Sequence, residues 1–582
     1  MNYTKTQNMF KYLSLIAFLC VSIFSSCAQQ DIKDYQGNWE GTLPNNNSFN
    51  FEIIIEDLKS NTYNLTIANN KTSINKKIIS NSKSRIKFSL DENTHFDFLF
   101  NDDATQLSGF ITSGILMYHV SLKRHQNLFK GVWNPFMVDS LQSKSVFLSV
   151  ENNEDGSFAT YPFFGDQRFT GTWAGEFTKK DDIIFFRDYK TGIKFKATLL
   201  TNKIQLEILL SERTIAVTNL MRSDVDLSLI GSDGPQNQNI KRPTQLDDGW
   251  ITANIKEFGI KPEFLIKMID SINGKSFVNT HSTLIAKKGK LIFESYFDGY
   301  NSNIPHDQRS ASKSIASAMM GIAIDDKIID NVNKSLYDFI PEAYQQTKDS
   351  QKSKIRIKDL LTMSSGLDAI DFGIDRNSAA SEGSYQNSND WLKTVLEASM
   401  IYKPGTHANY GSANPFLLGV ILNESLEKPL ELYMDQKLLS PLGITNYIIQ
   451  TENTASTPYF GGGMYLTPRD MLKFGQLYLN KGNWKGEQVI SENWVSESFK
   501  KYLKLENTND KNEYGYLWWH KTYTIGGKEI KSIEARGAGG QYIFVIPELE
   551  SVVVITSGNY RNGNSQQPEK ILEEYILPAI IN

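Results

Sequence analysis

The sequence predicts an α+β multidomain protein, with a β-rich N-terminal part and a C-terminal domain in which helices pack on an antiparallel sheet. The chain of 582 residues is too long for one ordinary domain. Strand-like alternation dominates to about residue 222, whereas helical patterns lie between two hairpin patterns beyond residue 250. Strands at both ends of a segment, with helices between them, favour helices packed on one shared sheet.

The composition limits the kinds of molecule that the protein is expected to bind. Hydrophobic residues make up 40% and aromatic residues 12% of the chain, which is enough for sizeable cores. The formal net charge is only −4, so nothing indicates a nucleic-acid partner. We expect a small-molecule or short-peptide substrate and no nucleic acid.

The first 26 residues predict an export signal. Lys5 and Lys11 precede the apolar run YLSLIAFLCVSIF (Tyr12–Phe24), which is too short to span a bilayer comfortably. The small residues that follow, ending at Cys27, resemble a bacterial lipoprotein signal. We expect residues 1–26 to be removed, Cys27 to be lipidated, and the protein to be exported and lipid-anchored to the bacterial cell envelope, on the periplasmic or outer-membrane side. The alternative is an ordinary secretory signal.

Cysteine usage limits the chemistry. The chain has 2 cysteines, and cleavage before Cys27 would leave that residue alone. An intramolecular disulfide and a cysteine-based metal site are then excluded. We expect no metal and no cofactor.

A repeated Gly-x-Trp pattern organises the β-rich part. It occurs at Gly37–Gly41, Gly131–Trp133 and Gly171–Gly175. If each copy starts a strand whose tryptophan closes the end of a small barrel, the pattern resembles lipocalin-like β-barrels. We predict two related units, residues 31–126 and 127–222. The alternative is that these tryptophans are ordinary core residues.

Other segments carry plain secondary-structure patterns. Residues 223–249 are polar and rich in Gly, Pro, Asn and Gln, which predicts a linker before the domain at 250–582. The clearest patterns are strands at Phe49–Asp57, His95–Phe100 and Gly192–Leu200, a helix at Pro262–Ile272, hairpins at Ser282–Gly299 and Gln541–Gly558, and a closing helix at Pro568–Ile580.

The segment RSASKSIASAMMGIAI (Arg309–Ile324) carries the strongest chemical signal. A helix beginning near Ser310 places Lys313 on the same face, one turn away. The small and apolar residues that follow predict a helix buried nearly all round, and burial lowers the pKa of a lysine. Ser-x-x-Lys by itself is a weak pattern, which also occurs at Ser73/Lys76, Ser84/Lys87 and Ser498/Lys501 in polar surroundings.

Two further segments add to this signal. In YKPGTHANYGSANPFLLGVIL (Tyr402–Leu422), Tyr410 and Ser412 stand on a loop before an apolar helix, and a tyrosine there can act as a general base. In ARGAGGQYIFVIPELESVVVI (Ala535–Ile555), Gly539 and Gly540 open a strand, where a backbone must approach something closely. The backbone N–H of Gln541 is then a candidate oxyanion donor. The alternatives are an ordinary packed tyrosine and a glycine-rich bend.

In order and context, these motifs resemble the serine β-lactamase-related family, which includes class C β-lactamases, D-alanyl-D-alanine peptidases, esterases and 6-aminohexanoate-dimer hydrolases. Further matches are LLTMSSGLD (Leu360–Asp368), GGGMYLTPRDMLKFGQL (Gly461–Leu477) and YGYLWW (Tyr514–Trp519). The resemblance covers about residues 250–582 and implies a β-lactamase/transpeptidase-like fold.

The resemblance also implies roles for individual residues. Ser310 would be the acylated nucleophile, and Lys313 would take or relay its proton. Tyr410 would act with Lys313 as general base and later as acid to the leaving group. The N–H groups of Ser310 and Gln541 would form the oxyanion hole, and Ser412, Gly539 and Gly540 would line the substrate site.

Two departures from the family pattern bear on the substrate. Ser412 stands where the family often has Asn, and Ala538 stands where lactamases and peptidases have Lys or His. That cation helps to hold a substrate carboxylate, so its absence favours an ester or amide without one. The first alternative is a peptidoglycan-linked D-amino-acid peptidase or β-lactamase. An alternative of another class is a non-catalytic binding or sensor protein on the same fold.

Overall fold

The computed structural model of the protein describes residues 31–42, 49–70, 72–80, 82–136, 145–152, 158–163, 174–188, 190–224, 240–452, 457–560 and 562–581. The predicted signal and Cys27 lie outside these ranges, as does most of the predicted linker. Within these ranges, no helix combines the length and the hydropathy needed to cross a bilayer.

The N-terminal part is β-rich, as predicted, and follows one short 3-10 turn (Ile32–Tyr35). In its strands, buried residues alternate with half-buried ones, as in sheets with one face in a core, for example in β14 and β15. The strands are β1 (Gly37–Thr42), β2 (Phe51–Asp57), β3 (Thr62–Ala68), β4 (Ser73–Ile79), β5 (Arg85–Ser89), β6 (Thr94–Phe100), β7 (Gln106–Ser113), β8 (Leu116–His125), β9 (Leu128–Trp133), β10 (Ser145–Asn152), β11 (Phe158–Phe163), β12 (Ala174–Lys180), β13 (Ile183–Asp188), β14 (Lys194–Leu200), β15 (Lys203–Leu210) and β16 (Arg213–Arg222).

The two sheets of this part do not follow the predicted boundary between residues 126 and 127. Strand β1 pairs with β10 and β16, so the first strand of the chain belongs to the second sheet, in the order β11-β10-β1-β16-β15-β14-β13-β12. Strand β9, which lies beyond the boundary, pairs with β2 and β8 of the first sheet. Hydrogen-bond partners are set by tertiary pairing, which sequence proximity does not specify.

The Gly-x-Trp pattern has different positions in its two described copies. Gly37 opens β1, and Trp39 is buried there, whereas Trp133 ends β9 instead of starting a strand. A side chain at Gly131 would clash with the backbone of Ser121, so this glycine lets β9 approach β8 closely. The third copy falls mostly outside the described residues. A lipocalin-like barrel stays a prediction.

The C-terminal domain combines a large antiparallel sheet with helices on both sides. Its strands are β17 (Thr280–Lys287), β18 (Lys290–Tyr296), β19 (His306–Asp307), β20 (Tyr447–Gln450), β21 (Met464–Leu466), β22 (Asn483–Trp484), β23 (Glu487–Gln488), β24 (Leu503–Lys504), β25 (Glu513–Tyr514), β26 (Trp519–Ile525), β27 (Lys528–Gly537), β28 (Gln541–Ile546) and β29 (Ser551–Ser557).

Its α-helices are α1 (Pro262–Asn273), α2 (Lys313–Asp325), α3 (Ile357–Leu361), α4 (Glu382–Gln386), α5 (Trp391–Glu397), α6 (Ala413–Ser425), α7 (Leu430–Met434), α8 (Pro468–Leu479), α9 (Glu492–Ser498), α10 (Gln567–Ile571) and α11 (Leu577–Ile580). Shorter 3-10 turns lie at Ile255–Phe258, Arg309–Ser312, Leu336–Asp338, Glu342–Thr347, Lys352–Lys354 and Pro547–Leu549, and π-helical turns at Asp435–Leu439 and Leu572–Ile576.

The two predicted hairpins form and share one sheet, because β17 pairs with β29. The strand order is β18-β17-β29-β28-β27-β26-β25-β24. One face of this sheet packs on α1 and the C-terminal helices, and the other face packs on α8 and the helical layer that contains α2 and α6. The sheet is therefore covered on both faces, which is why β28 and β29 are buried along their whole length.

A second sheet joins the N-terminal part to this domain. Strand β20 pairs with β8, with Ile448 opposite Tyr118, and β20 also pairs with β21. Strand β21 then pairs with β19, placing Tyr465 opposite Asp307. The first N-terminal sheet therefore continues by backbone hydrogen bonds to a strand that ends three residues before Ser310.

Candidate active site

Ser310 lies in a tight turn at the start of helix α2. The residues Arg309–Ser312 form a 3-10 turn, and the α-helix begins only at Lys313, not at Ser310 as the sequence predicts. Residues i and i+3 eclipse each other in a 3-10 turn, so Lys313 still stands directly over Ser310. Arg309 has a left-handed backbone with φ of +48°, which bends the chain so that Ser310 is partly exposed.

Lys313 is the centre of the polar cluster. Its side chain is 1% exposed, and its Nζ atom lies 2.7 Å from Ser310 Oγ and 2.9 Å from Ser412 Oγ. It also donates to the backbone oxygen of Gly461. Burial lowers the pKa of the Lys313 ammonium, and the carboxylates of Glu382 and Asp371 oppose this shift.

Tyr410 is held over this lysine by aromatic packing. Its ring lies between Phe372 and Trp519, at centroid distances of 5.3 and 5.2 Å, and Lys313 Nζ lies 5.2 Å from its ring centre. Its backbone exchanges hydrogen bonds of 2.7 and 3.2 Å with the side chain of Asn507. Burial raises the pKa of the Tyr410 phenol, while its contact with Ser310 acts in the opposite direction. The phenol therefore keeps its proton near neutral pH.

Ser412 holds Lys313 instead of facing an open cleft. It is 1% exposed, and its Oγ accepts from Lys313 while donating to Asp371 Oδ2 at 2.6 Å. The backbone N–H of Ser412 donates to the same oxygen at 2.8 Å. Asp371 stands three residues beyond the LLTMSSGLD segment and has no spacing pattern of its own, so the sequence does not single it out.

A second carboxylate, partly buried and also missed from the sequence, lies close to the cluster. The N–H of Glu382 donates to Asp371 Oδ1 at 2.8 Å, and Tyr459 donates to Glu382 Oε1 at 2.6 Å. Burial raises the pKa of the Glu382 carboxyl, and the Lys313 charge counteracts part of that effect. The two carboxylates therefore act on the charge of Lys313, while its Nζ atom contacts the nucleophile.

The late glycine-rich segment is a tight hairpin between β27 and β28. Gly539 and Gly540 have φ of +81° and +90°, and side chains there would meet Tyr560 and Ser557. Gln541 is fully buried, lies opposite Gly537 in the ladder, and donates from its side chain to Ser557 O at 2.5 Å. The atoms that these glycines approach closely thus belong to Ser557, at the end of β29, and to Tyr560 beyond it.

The residues of this hairpin nearest to the nucleophile precede the glycine pair. A Cβ atom added to Gly537 would lie 2.1 Å from the backbone oxygen of Gln308 and 3.2 Å from the nitrogen of Ala311. The backbone N–H of Ala538, the next residue, and that of Ser310 make no hydrogen bond within the described part of the chain. Gly537 therefore packs against the nucleophile turn, and Gln541 lies opposite it in the ladder.

The Arg309 guanidinium is a cation close to the nucleophile, on the side of the β27–β28 hairpin. Its Nε atom lies 3.2 Å from Asp307 Oδ2, and its guanidinium carbon lies 5.3 Å from the ring centre of Tyr560. About a third of the side chain, 34%, is exposed. Tyr560 in turn touches the hairpin at Gly539.

The aromatic segment YGYLWW is core packing. Tyr514, Tyr516, Trp518 and Trp519 are 1%, 5%, 0% and 8% exposed. Of these rings, Trp519 contacts the site, through Tyr410. A substrate-stacking wall is therefore absent from this described segment.

A serine whose hydroxyl contacts a buried lysine, beside a tyrosine that keeps its proton, is the arrangement of a serine hydrolase. Residues 270–573, just over half of the chain, match the family model described as Beta-lactamase. The chain belongs to the Beta-lactamase family.

Relatives within this family are hydrolases of several kinds. The chain is 24% identical over 301 residues to a 6-aminohexanoate-dimer hydrolase of Paenarthrobacter ureafaciens, covering 47% of this chain and 71% of that protein. It is 29% identical over 112 residues to a putative D-alanyl-D-alanine carboxypeptidase of Escherichia coli, covering 19% of this chain and 26% of that protein. Among solved structures, a putative 6-aminohexanoate-dimer hydrolase from Bacillus anthracis matches with a TM-score of 0.46 at 20% identity, covering 59% of this chain and 90% of that one.

Proposed function

We propose that the protein hydrolyses an ester or amide bond through an acyl-enzyme on Ser310. The observation that carries this proposal is the 2.7 Å contact between Ser310 Oγ and the buried Lys313 Nζ. A serine hydroxyl is a weak nucleophile unless a base takes its proton, and a desolvated lysine is such a base. Membership of the Beta-lactamase family supports the same reaction class.

The first step transfers the Ser310 hydroxyl proton to neutral Lys313 as Oγ bonds to the substrate carbonyl carbon. The lowered pKa of Lys313 makes the neutral amine available. Ser412 and Gly461 hold the amine in place, so no reorganisation is needed when the proton moves. The developing negative charge falls on the carbonyl oxygen.

Two backbone N–H groups would stabilise that oxygen. Ser310 supplies one, and the second comes from the β27–β28 hairpin, where the N–H groups of Gln541 and Ala538 are the two candidates. Each donor of this type contributes roughly 3 kcal/mol to transition-state stabilisation. Tyr410 then gives its phenolic proton to the leaving alcohol or amine, and water cleaves the acyl-enzyme with the proton transfers reversed.

The substrate class depends on the cation beside the nucleophile. Ala538 leaves no Lys or His at its own position, which favours a substrate without a carboxylate there. Arg309, however, presents a partly exposed guanidinium on the hairpin side of Ser310. That observation favours a second candidate, a D-amino-acid peptidase or β-lactamase whose substrate carboxylate binds Arg309.

A fluorophosphonate tests the nucleophile without knowledge of the substrate. Residues 28–582 are treated, the intact mass is recorded, and the adduct is mapped by peptide digestion. We expect one adduct, on Ser310, that is lost in Ser310→Ala and kept in Ser314→Ala, since Ser314 donates to Leu517 O and faces away from the cluster. An unmodified Ser310 in the folded protein would favour the binding or sensor protein on this fold. Esters, D-amino amides and a chromogenic β-lactam then sort the substrate class.

We also propose that Cys27 anchors the mature protein to the cell envelope. The support is the basic, apolar and small-residue pattern of the first 27 residues. In cells fed an alkyne-labelled fatty acid, the wild-type protein should carry the label and fractionate with membranes. Cys27→Ala should lose both properties, and equal membrane retention of the two proteins would contradict the anchor.

A further inference from the structure

Three parts of the chain meet next to the nucleophile. The turn between β13 and β14 contains Lys190, whose backbone oxygen accepts from the N–H of Ile115 in the β7–β8 hairpin at 2.9 Å. The oxygen of Ile115 accepts from the N–H of Thr451, at the end of β20, at 2.7 Å. Both N-terminal sheets are thus pinned to the C-terminal domain at this junction.

The junction has close backbone contacts. Gly114, in the hairpin, has φ of +60°, and a Cβ atom there would lie 2.4 Å from the oxygen of Lys190. Ser113 donates to the backbone oxygen of Thr191 at 2.6 Å. The position of the Lys190 backbone is therefore fixed on two sides.

From this fixed backbone, the Lys190 side chain reaches into the C-terminal domain. Its Nζ atom lies 3.2 Å from Tyr465 Oη and 3.7 Å from Asp307 Oδ2, and the residue is 8% exposed. Tyr465 and Asp307 are opposite each other in the β19–β21 ladder. Lys190 therefore bridges both strands of the pair that leads to Ser310.

Asp307 is shared between Lys190 and the nucleophile turn. Its Oδ1 accepts from the N–H of Arg309 at 3.0 Å, and its Oδ2 pairs with Arg309 Nε at 3.2 Å. Burial alone would raise the pKa of Asp307, but Arg309 and Lys190 hold it below its ordinary value. The N–H bond fixes the left-handed backbone of Arg309, a conformation that costs energy and sets the direction of Ser310.

We propose that Lys190, a residue of the N-terminal β-rich part, is a positioning residue for the Ser310 nucleophile and acts through Asp307. The inference rests on the proposed nucleophile. Lys190 lies outside residues 270–573, so the family match assigns it no role. Without this cation, the buried Asp307 carboxylate is only partly compensated, and its hold on the Arg309 backbone weakens. The N-terminal β-rich part would then supply a residue that the active site of the C-terminal domain needs.

The pH dependence distinguishes this role from simple packing. Lys190 faces Asp307, Asp188, Arg309 and Tyr465, and His306 Nδ1 lies 3.2 Å from the backbone oxygen of Asp307. Burial lowers the pKa of the Lys190 ammonium to about 8, with Arg309 adding to the shift and the two carboxylates opposing it. Above that pH the cation is lost, whereas an arginine at the same position keeps its charge.

The test measures the rate of fluorophosphonate labelling of Ser310 in full-length variants. We expect Ser310 to be labelled about tenfold more slowly in Lys190→Met than in wild type. When Asp307→Asn is already present, adding Lys190→Met should slow the labelling much less. Lys190→Arg should label near the wild-type rate at pH 7 and faster than wild type above pH 8, where only the wild-type protein loses its cation. The matched control is Lys196→Met, which removes a lysine of the same sheet that pairs with Glu207.

A second measurement does not depend on the reaction. Hydrogen exchange of the segment 304–312 should be faster in Lys190→Met than in wild type, and unchanged in Lys196→Met. If wild type is labelled and Lys190→Met is labelled at the same rate, the positioning role of Lys190 is overturned and the proposed function is not. If wild type is not labelled, the proposed function is overturned. Hydrogen exchange of the segment 304–312 would then decide whether Lys190 orders the nucleophile turn. Unchanged exchange in Lys190→Met would overturn that ordering.

Discussion

The Nζ atom of Lys313 lies 2.7 Å from the Oγ atom of Ser310, at a place where the lysine is 1% exposed. The contact is short enough for direct proton transfer, and burial removes the water that would stabilise the ammonium. The chemistry of the site therefore depends on keeping this amine neutral and correctly placed.

Replacing the base tests this relationship directly. Lys313→Ala should lower kcat/KM by roughly 10²–10⁴-fold, the usual range for a general base. Because burial lowers the pKa of Lys313, the wild-type rate should rise with pH through a midpoint below 10.5, the ordinary value. The variant should lack this rising limb. Lys501→Ala, in another Ser-x-x-Lys pair of the chain, is the matched control and should retain full activity.

Removing the Tyr410 hydroxyl should separate its role from that of Lys313. Tyr410→Phe keeps the ring between Phe372 and Trp519, so the packing survives. If the phenol protonates the leaving group, an amide with a poor leaving group should lose about 10²-fold in rate. A nitrophenyl ester, which needs no proton, should lose far less. Equal losses on both substrates would contradict the acid role.

The Asp371 carboxylate, which is hydrogen-bonded to Ser412, should affect the pKa of Lys313. In Asp371→Asn, the amide keeps the hydrogen bonds of Ser412 but removes a negative charge that raises the pKa of Lys313. Without that charge, the neutral amine is favoured, and the rising limb of the pH profile should move down by about one unit. The comparison is the pH dependence of the labelling rate for the two proteins. A limb that moves upward would show that Asp371 has another role.

Arg309 should decide between the two substrate classes. If it binds a substrate carboxylate, Arg309→Gln should raise KM for carboxylate-bearing D-amino amides about tenfold or more and leave neutral esters nearly unchanged. The guanidinium is bound to Asp307 on one side, so the variant is first checked for an intact circular-dichroism spectrum. An equal effect on both substrate classes would assign Arg309 to the structure of the turn.

Much of the architecture could be predicted from local patterns. Strong local signals mark one hairpin and one helix. The hairpin turns at Gly289, which has a φ of +74°, and the helix has Pro262 at its first position. The Ser-x-x-Lys pair stood out because the helix that follows is apolar on every side, and the structure buries it all round. These features follow from short-range periodicity and backbone preference.

The parts that were missed depend on long-range contacts. Asp371 acts through Ser412, which is 41 residues away, and nothing in the spacing relates them. The oxyanion donor at Gln541 stays a prediction, because the sequence does not show which side of the β27–β28 hairpin faces Ser310. The boundary between the β-rich units differed because β1 pairs with strands more than a hundred residues later.

The sequence by itself determined the element types, the order of the motifs and the identity of the serine and its lysine, since these depend on neighbours within one or two helical turns. Only the tertiary structure decided which groups share the nucleophile's surroundings. Lys190 contacts Asp307 across more than a hundred residues because its turn is hydrogen-bonded to the β7–β8 hairpin and β8 pairs with β20. Such a pairing is selected by packing and hydrogen bonding of the whole chain, and local sequence carries no record of it.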